Sequence, residues 1–174
     1  MNMTSHPSNV LKYCPYCGSA QFVWDGVKSF RCADCTKKLY INAAAAVAVI
    51  IENERGEILL TRRAHEPSKG ALDLPGGFTD MLETAEEAAR REIKEELNLT
   101  LDELHYLTSF GNEYLFGGMI IYTLDIAFVA KVKNTAAYSV ADDVAAVEWY
   151  GKNTIPFDEI AFSSIRNILK YYTQ

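Results

Sequence analysis

Apolar residues along this chain follow two different periods, and the switches between them mark the elements. Residues 43–52 (AAAAVAVIIE) and 56–63 (GEILLTRR) are apolar runs separated by ENERG, which predicts two strands joined by a turn. Residues 66–78 (EPSKGALDLPGGF) carry Pro and Gly near both ends, so a loop is expected, with one extended piece at 72–74. Over 84–97 the apolar positions recur at helical spacing and a helix is predicted. Strands follow at 104–110 and 119–132, then a loop leading into a strand over 142–150 (DDVAAVEWY). In 157–172, Ile160, Ile165, Ile168 and Leu169 share one side of an amphipathic helix. Upstream, 22–30 (FVWDGVKSF) sets large residues on both sides of Asp25-Gly26, a hairpin signal. Strands mixed with two helices predict an α/β fold or an α+β sandwich.

Composition divides the chain in two. All four cysteines lie before residue 42, and that segment holds Lys12, Lys28, Arg31, Lys37 and Lys38 against Asp25 and Asp34, a net +3. The total of −6 then leaves −9 for the remainder. We therefore expect a small module over 1–42 and a larger domain over 43–174. The acidic total argues against broad nucleic-acid binding. The longest apolar run, 41–51, holds 11 residues, far short of the ~20 of a membrane span, so no membrane association is expected. The first residues lack a basic start followed by an apolar stretch, and the expected location is the cytoplasm.

Cys14 and Cys17 form one C-x2-C pair, Cys32 and Cys35 a second, with fourteen residues between. Two disulfides or a redox dithiol would use the same residues. Paired knuckles in a compartment that keeps thiols reduced point instead to tetrahedral Zn2+. Four thiolates close the shell, so such a zinc is structural, stapling a segment too short to bury a core of its own.

The helix over 84–97 poses a harder question. At about 100° per residue, Ala85, Ala88, Ala89 and Ile93 form one stripe, Glu92 and Glu96 fall within it, and Glu95 lies at its border. The stripe must face the sheet, where unpaired carboxylates lose hydration and repel one another. A hard divalent cation, Mg2+ or Mn2+, would resolve the conflict, because oxygens at i, i+3 and i+4 converge. Thr84 and Glu87 have the spacing of a capping box, and Asn98 suits a left-handed helix end. Gly76-Gly77 permits a tight loop whose carbonyl oxygens offer a further ligand.

These residues resemble the Nudix box, G-x5-E-x7-R-E-U-x-E-E-x-G-U with U bulky and aliphatic. Gly77, Glu83, Arg91, Glu92, Ile93, Glu95, Glu96 and Leu99 match in register; Asn98 replaces the final Gly, and Leu82 stands where many members have Gly. The likeness spans roughly 43–172. It implies a Nudix fold, a mixed sheet sandwiched between helices, and Mg2+-dependent hydrolysis of a nucleoside diphosphate linked to another moiety, such as ADP-ribose or NAD(H). It also implies that Glu92, Glu95 and Glu96 are metal ligands, one of them a candidate base, with a carbonyl of Gly76 or Gly77 beside them. Arg91 and Glu83 would orient the helix. A further acid from the loop before the last strand would be Asp143, with Asp142 next to it. Arg62, Arg63 and Lys69 are candidates for other phosphate oxygens; Tyr114, Phe116 and Tyr122 are candidates for stacking a base, and His65 reads as a loop residue.

A zinc ribbon before such a domain resembles the NADH pyrophosphatase arrangement. SFGNEYLFGG (109–118) replaces that family's proline-rich signature, so the resemblance carries the arrangement and not the NAD(H) specificity. The competing class is a non-enzymatic ligand sensor whose ribbon binds nucleic acid or protein, which the ribbon's charge permits and the intact glutamates oppose. A third reading makes the ribbon a dimerisation element, and a homodimer is compatible with the sequence.

Overall fold

A computed structural model describes residues 3–132, 139 and 143–174; Asp142 lies outside the described residues. The chain divides into two compact units. One comprises Met1–Ala44 with Glu113–Tyr122, the other Ala45–Asn112 with Thr123–Gln174.

In the smaller unit a short helix α1 (Pro7–Val10) precedes an antiparallel three-stranded sheet in the order β1 (Phe22–Trp24), β2 (Ser29–Cys32), β3 (Lys38–Tyr40). The hairpin expected at Asp25-Gly26 forms. Asp25 ties its turn by accepting the N–H groups of Val27, Lys28 and Ser29, and Gly26 takes φ +87°. Strand β3 was not foreseen, because its only inward residue is Leu39. One face of this sheet packs Phe22, Trp24, Phe30 and Leu39 with Cys14 and Cys32 into a small core.

The larger unit is built on β4 (Ala44–Asn53), which begins one residue inside the smaller unit, β5 (Glu57–Arg63), β6 (Leu72–Asp73), β7 (His105–Phe116), β8 (Met119–Val132) and β9 (Val144–Gly151). Strands run in the order β6-β5-β4-β8-β7, and β9 pairs antiparallel with β5 along most of its length. Helices α2 (Ala85–Leu97) and α3 (Ser163–Thr173) complete it. The tip of the β7–β8 hairpin, 113–122, belongs with the smaller unit.

Strand β4 shows why helices cover both sheet faces. Its side chains alternate: Val47, Val49 and Ile51 pack with Ala88, Ala89, Ile93 and Leu97 of α2, while Ala48 and Ile50 pack with Ile165, Ile168 and Leu169 of α3. A strand buried on both faces has no polar alternate positions, and that is why 43–52 reads as a continuous apolar run. The last helix begins at Ser163, later than its periodicity suggests. A single 3₁₀ turn at Phe157–Glu159 comes first, and Ala161 N–H then bonds Leu72 O, holding the lead-in extended beside β6. Strand β7 also runs past Phe110, because pairing with β8 carries the chain through Gly111. No helix among the described residues is long and apolar enough to cross a membrane.

Candidate active site

Helix α2 is held at both ends by its own sequence. Thr84 accepts the Glu87 N–H and Glu87 accepts the Thr84 N–H, so the capping box closes; Asn98 ends the helix at φ +53°. Residues 75–79 run along β4. Val49 N–H bonds Pro75 O, Val47 N–H bonds Gly77 O, and Thr79 N–H bonds Ala45 O. The approach is so close that a Cβ on Gly76, at φ +145°, would meet Val47 O at 2.1 Å. A Cβ on Gly77 would stand 2.4 Å from Glu92 Oε1. The diglycine thus brings backbone against both a strand and a carboxylate.

Glu92 and Glu96 point into this crevice. Glu96 accepts one hydrogen bond, from Gly76 N–H at 3.1 Å. Burial pushes its carboxyl up to about 8, against the effect of that N–H and with the charges of Glu92, Asp73 and Asp143 adding to the rise. Burial likewise raises Glu92, opposed by Arg91. Glu95 does not turn inward: its side chain is 55% exposed and pairs with Arg91 at 3.1 Å. The border position on the helix, four residues from a cation, explains this. Arg91 is the hub. It meets Glu83 through Nε at 2.8 Å and Nη2 at 2.9 Å, Glu92 at 2.9 Å, and Phe78 O at 3.0 Å. Its charge holds Glu83 below the usual carboxylate range.

Asp143 is exposed, 3.7 Å from His65, and its carbonyl accepts Ala64 N–H. Arg62 is committed elsewhere: it bonds Glu148, Glu159 and Gly70 O. Arg63 bonds Asp73 at 3.0 Å and Pro67 O at 2.7 Å, and lies over the Phe162 ring. Both guanidiniums therefore spend their donors within the protein, whereas Lys69 is exposed. Tyr114 and Phe116 belong to the smaller unit, where their rings stack at 6.3 Å.

In that unit the four sulfurs lie within 4.8 Å of one another. Cys14 and Cys35 Sγ are 3.7 Å apart, Cys17 and Cys32 Sγ 3.6 Å, and all four are free thiols. A tetrahedral ion with Zn–S bonds of ~2.3 Å has S–S edges of about 3.8 Å, so the set is already at ligand spacing. The Cys35 N–H lowers the Cys32 thiol to about 7, against burial, whereas Cys17, which the Ser19 backbone lowers, is raised overall by burial and by the other three thiols.

A family model described as the NUDIX domain matches residues 42–170. The chain belongs to the Nudix family. An ADP-ribose pyrophosphatase of Methanocaldococcus jannaschii is 35% identical over 136 residues, covering 77% of this chain and 76% of that protein. The NAD-capped RNA hydrolase NudC of Deinococcus radiodurans is 26% identical over 161 residues, 91% of this chain but 55% of its own length. The chain spans about half of the NudC relatives it matches. A crystal structure of a Nudix hydrolase from Nitrosomonas europaea superposes with a TM-score of 0.70 at 28% identity, covering 94% of this chain and 90% of that one.

One acid of the Nudix crevice escaped the sequence. Asp73 is buried at the end of β6, and burial raises its carboxyl to about 6 despite Arg63. An acid between Leu72 and Leu74, three residues before the diglycine, was the available signal.

Proposed function

We propose that this Nudix hydrolase cleaves the pyrophosphate bond of a nucleoside diphosphate linked to another moiety, with ADP-ribose the leading candidate. Its likeness to the M. jannaschii pyrophosphatase, across three quarters of both chains, supports that substrate. The observation that carries the reading is Glu96: a buried carboxyl with one backbone donor and three acids nearby. Arg91 answers Glu92 and Arg63 answers Asp73, but among the described residues no cation pairs with Glu96, and the hard oxygen donors fit Mg2+ or Mn2+.

Glu92 and Glu96 would hold the cation, with the Gly76 or Gly77 carbonyl beside them; Glu95 would join by releasing Arg91. When bound, the cation supplies charge neutralisation to the phosphate oxygens. Arg91, fixed by Glu83, sets where Glu92 and Glu95 lie. Asp143, exposed beside His65, would take a proton from the attacking water. Lys69, exposed and without an ion pair among the described residues, suits an outer phosphate better than Arg62 or Arg63, which are spent within the protein. Residues 1–42 would form a zinc ribbon in which Cys14, Cys17, Cys32 and Cys35 hold a structural Zn2+. Reduced thiols suit a cytoplasmic setting.

The test is a panel of ADP-ribose, NADH, NAD-capped RNA and dinucleoside polyphosphates, read by nucleotide release with Mg2+, Mn2+ or EDTA. ADP-ribose should turn over fastest and only with metal. Failure of every substrate, in protein that is folded and metal-supplied, would overturn hydrolysis.

A further inference from the structure

Arg62 and Arg63, the last two residues of β5, turn their side chains onto the loop that carries Lys69. That loop, residues 64–71, joins β5 to β6. Backbone closes its neck: Arg63 N–H bonds Ala71 O at 3.0 Å and Gly70 N–H bonds Arg63 O at 2.9 Å. Its tip is a tight turn in which Ala71 N–H bonds Ser68 O at 3.1 Å. The residues on either side of Lys69 are both left-handed, Ser68 at φ +63° and Gly70 at φ +82°. The carbonyls flanking this tip are then taken by the two guanidiniums. Arg63 Nε donates to Pro67 O at 2.7 Å, and Arg62 Nη1 donates to Gly70 O at 2.9 Å.

Each guanidinium is anchored from behind. Arg63 Nη1 meets Asp73 at 3.0 Å, and the Arg63 guanidinium carbon lies 5.0 Å from the Phe162 ring centroid. Arg62 pairs with Glu148 and, at 2.9 Å, with Glu159. Arg62, Arg63 and Lys69 are three cations in one short stretch, and unanswered they would repel. With both guanidiniums matched by carboxylates, the Lys69 ammonium can stand beside them at the tip. It is exposed and makes no ion pair among the described residues. A loop that needed only to close would have no use for two arginines, because the backbone bonds at 63, 70 and 71 already close it.

We infer that Arg62 and Arg63 are positioning residues, a clamp on the Pro67 and Gly70 carbonyls that holds Lys69 for an outer phosphate of the substrate; this rests on the phosphate role given to Lys69 above. Neither guanidinium touches the substrate, and both act through Lys69. The clamp needs arginine. A guanidinium is a fork, so one side chain can bond a carbonyl and an acid at once, whereas an ammonium is a point charge on a flexible stem. A fixed backbone beneath Lys69 also leaves less freedom to be lost when phosphate binds.

Calorimetric titration of the full-length protein with the α,β-methylene analogue of ADP-ribose in Mg2+ tests this, because the analogue binds without being cleaved. Lys69→Ala should weaken binding about tenfold, the loss of one charged contact. Arg63→Gln should weaken it about fivefold in the wild-type chain but less than about twofold in the Lys69→Ala chain, where the clamp has nothing left to hold. Arg63→Lys should not restore binding. Amide hydrogen exchange over 64–71 should quicken in Arg63→Gln. Should Arg63→Gln misfold by circular dichroism, because Asp73 is left unpaired, Arg62→Gln gives the same cycle, since its partner acids Glu148 and Glu159 reach solvent. Equal losses in the two backgrounds would overturn the inference, as would wild-type binding by Arg63→Lys. An Arg63→Gln effect confined to the melting temperature would overturn it as well. A binding cycle that behaves as stated upholds the clamp even where ADP-ribose itself is not hydrolysed, a result that would overturn the proposed reaction alone.

Discussion

The backbone at Gly77 lies so close to the Glu92 carboxylate that a methyl group there would stand 2.4 Å from Oε1. The atom in the way is the far end of a side chain, which can swing aside. Gly77→Ala should therefore fold and melt near the wild type but lose activity on the order of a hundredfold, because Glu92 no longer reaches its position. Gly76→Ala meets the fixed carbonyl of Val47 at φ +145° and should cost about 2 kcal/mol or more of stability. Thermal melts and turnover of the two variants separate them; similar melts for both would contradict this account.

Glu96→Gln should cut kcat about a hundredfold or more while metal-free stability holds or rises. The amide keeps the size and accepts the Gly76 N–H but removes a charge the crevice disfavours. Melts in EDTA beside turnover with Mg2+ decide it. A drop in the metal-free melting point would mean that Glu96 is a structural partner.

The pH dependence follows from the same group. Glu96 stands at about 8 in the folded chain, above the ~4.3 of an unfolded one, so the native state holds a proton that the unfolded state has released. Metal-free stability should fall as pH rises from about 4 to about 8 and level off above; Asp73, at about 6, adds to the lower part of that fall. Denaturant unfolding in EDTA at acid, neutral and alkaline pH measures it. Glu96→Gln should flatten the upper half of the curve.

Glu83→Gln breaks the two-pronged pair that steadies Arg91. Metal dependence of the rate should shift about 10- to 100-fold, as when a group behind a metal ligand is removed. Little change in melting point is expected, since Arg91 keeps Glu92, Glu95 and Phe78 O. An unaltered metal titration would leave Glu83 without a role in the site.

Purified protein should carry about one zinc per chain, measured by elemental analysis without added metal. Cys32→Ser should abolish that zinc and loosen the smaller unit. Four readily titrated thiols in a folded, zinc-free chain would refute the assignment.

Local features were legible in the sequence because local chemistry decides them. Thr84 and Glu87 form their capping box three residues apart, Asn98 takes the left-handed end, and Asp25 ties its own turn. Glu92 and Glu96 were readable as inward from helical geometry alone. What stayed hidden depends on partners far away in the chain. Asp73 is buried by packing that joins β6 to the approach to α3, Arg62 meets Glu148 and Glu159, and β7 extends because β8 is there to pair with it. Glu95 is the instructive case, since a position at the edge of a stripe leaves the choice of direction to Arg91.

Because α2 is capped by Thr84 and Asn98 at its own ends, and because Gly76, Gly77, Phe78 and Glu83 just before it steady its carboxylates and Arg91, Glu92 and Glu96 are positioned by residues 76–98 alone. Residues 64–71 and the hairpin between β7 and β8 can then be exchanged wholesale while Glu92 and Glu96 keep their spacing. The chain is in that sense a chassis. Grafting recognition loops onto it is a problem of shape alone, and a redesigned specificity would inherit the chemistry intact.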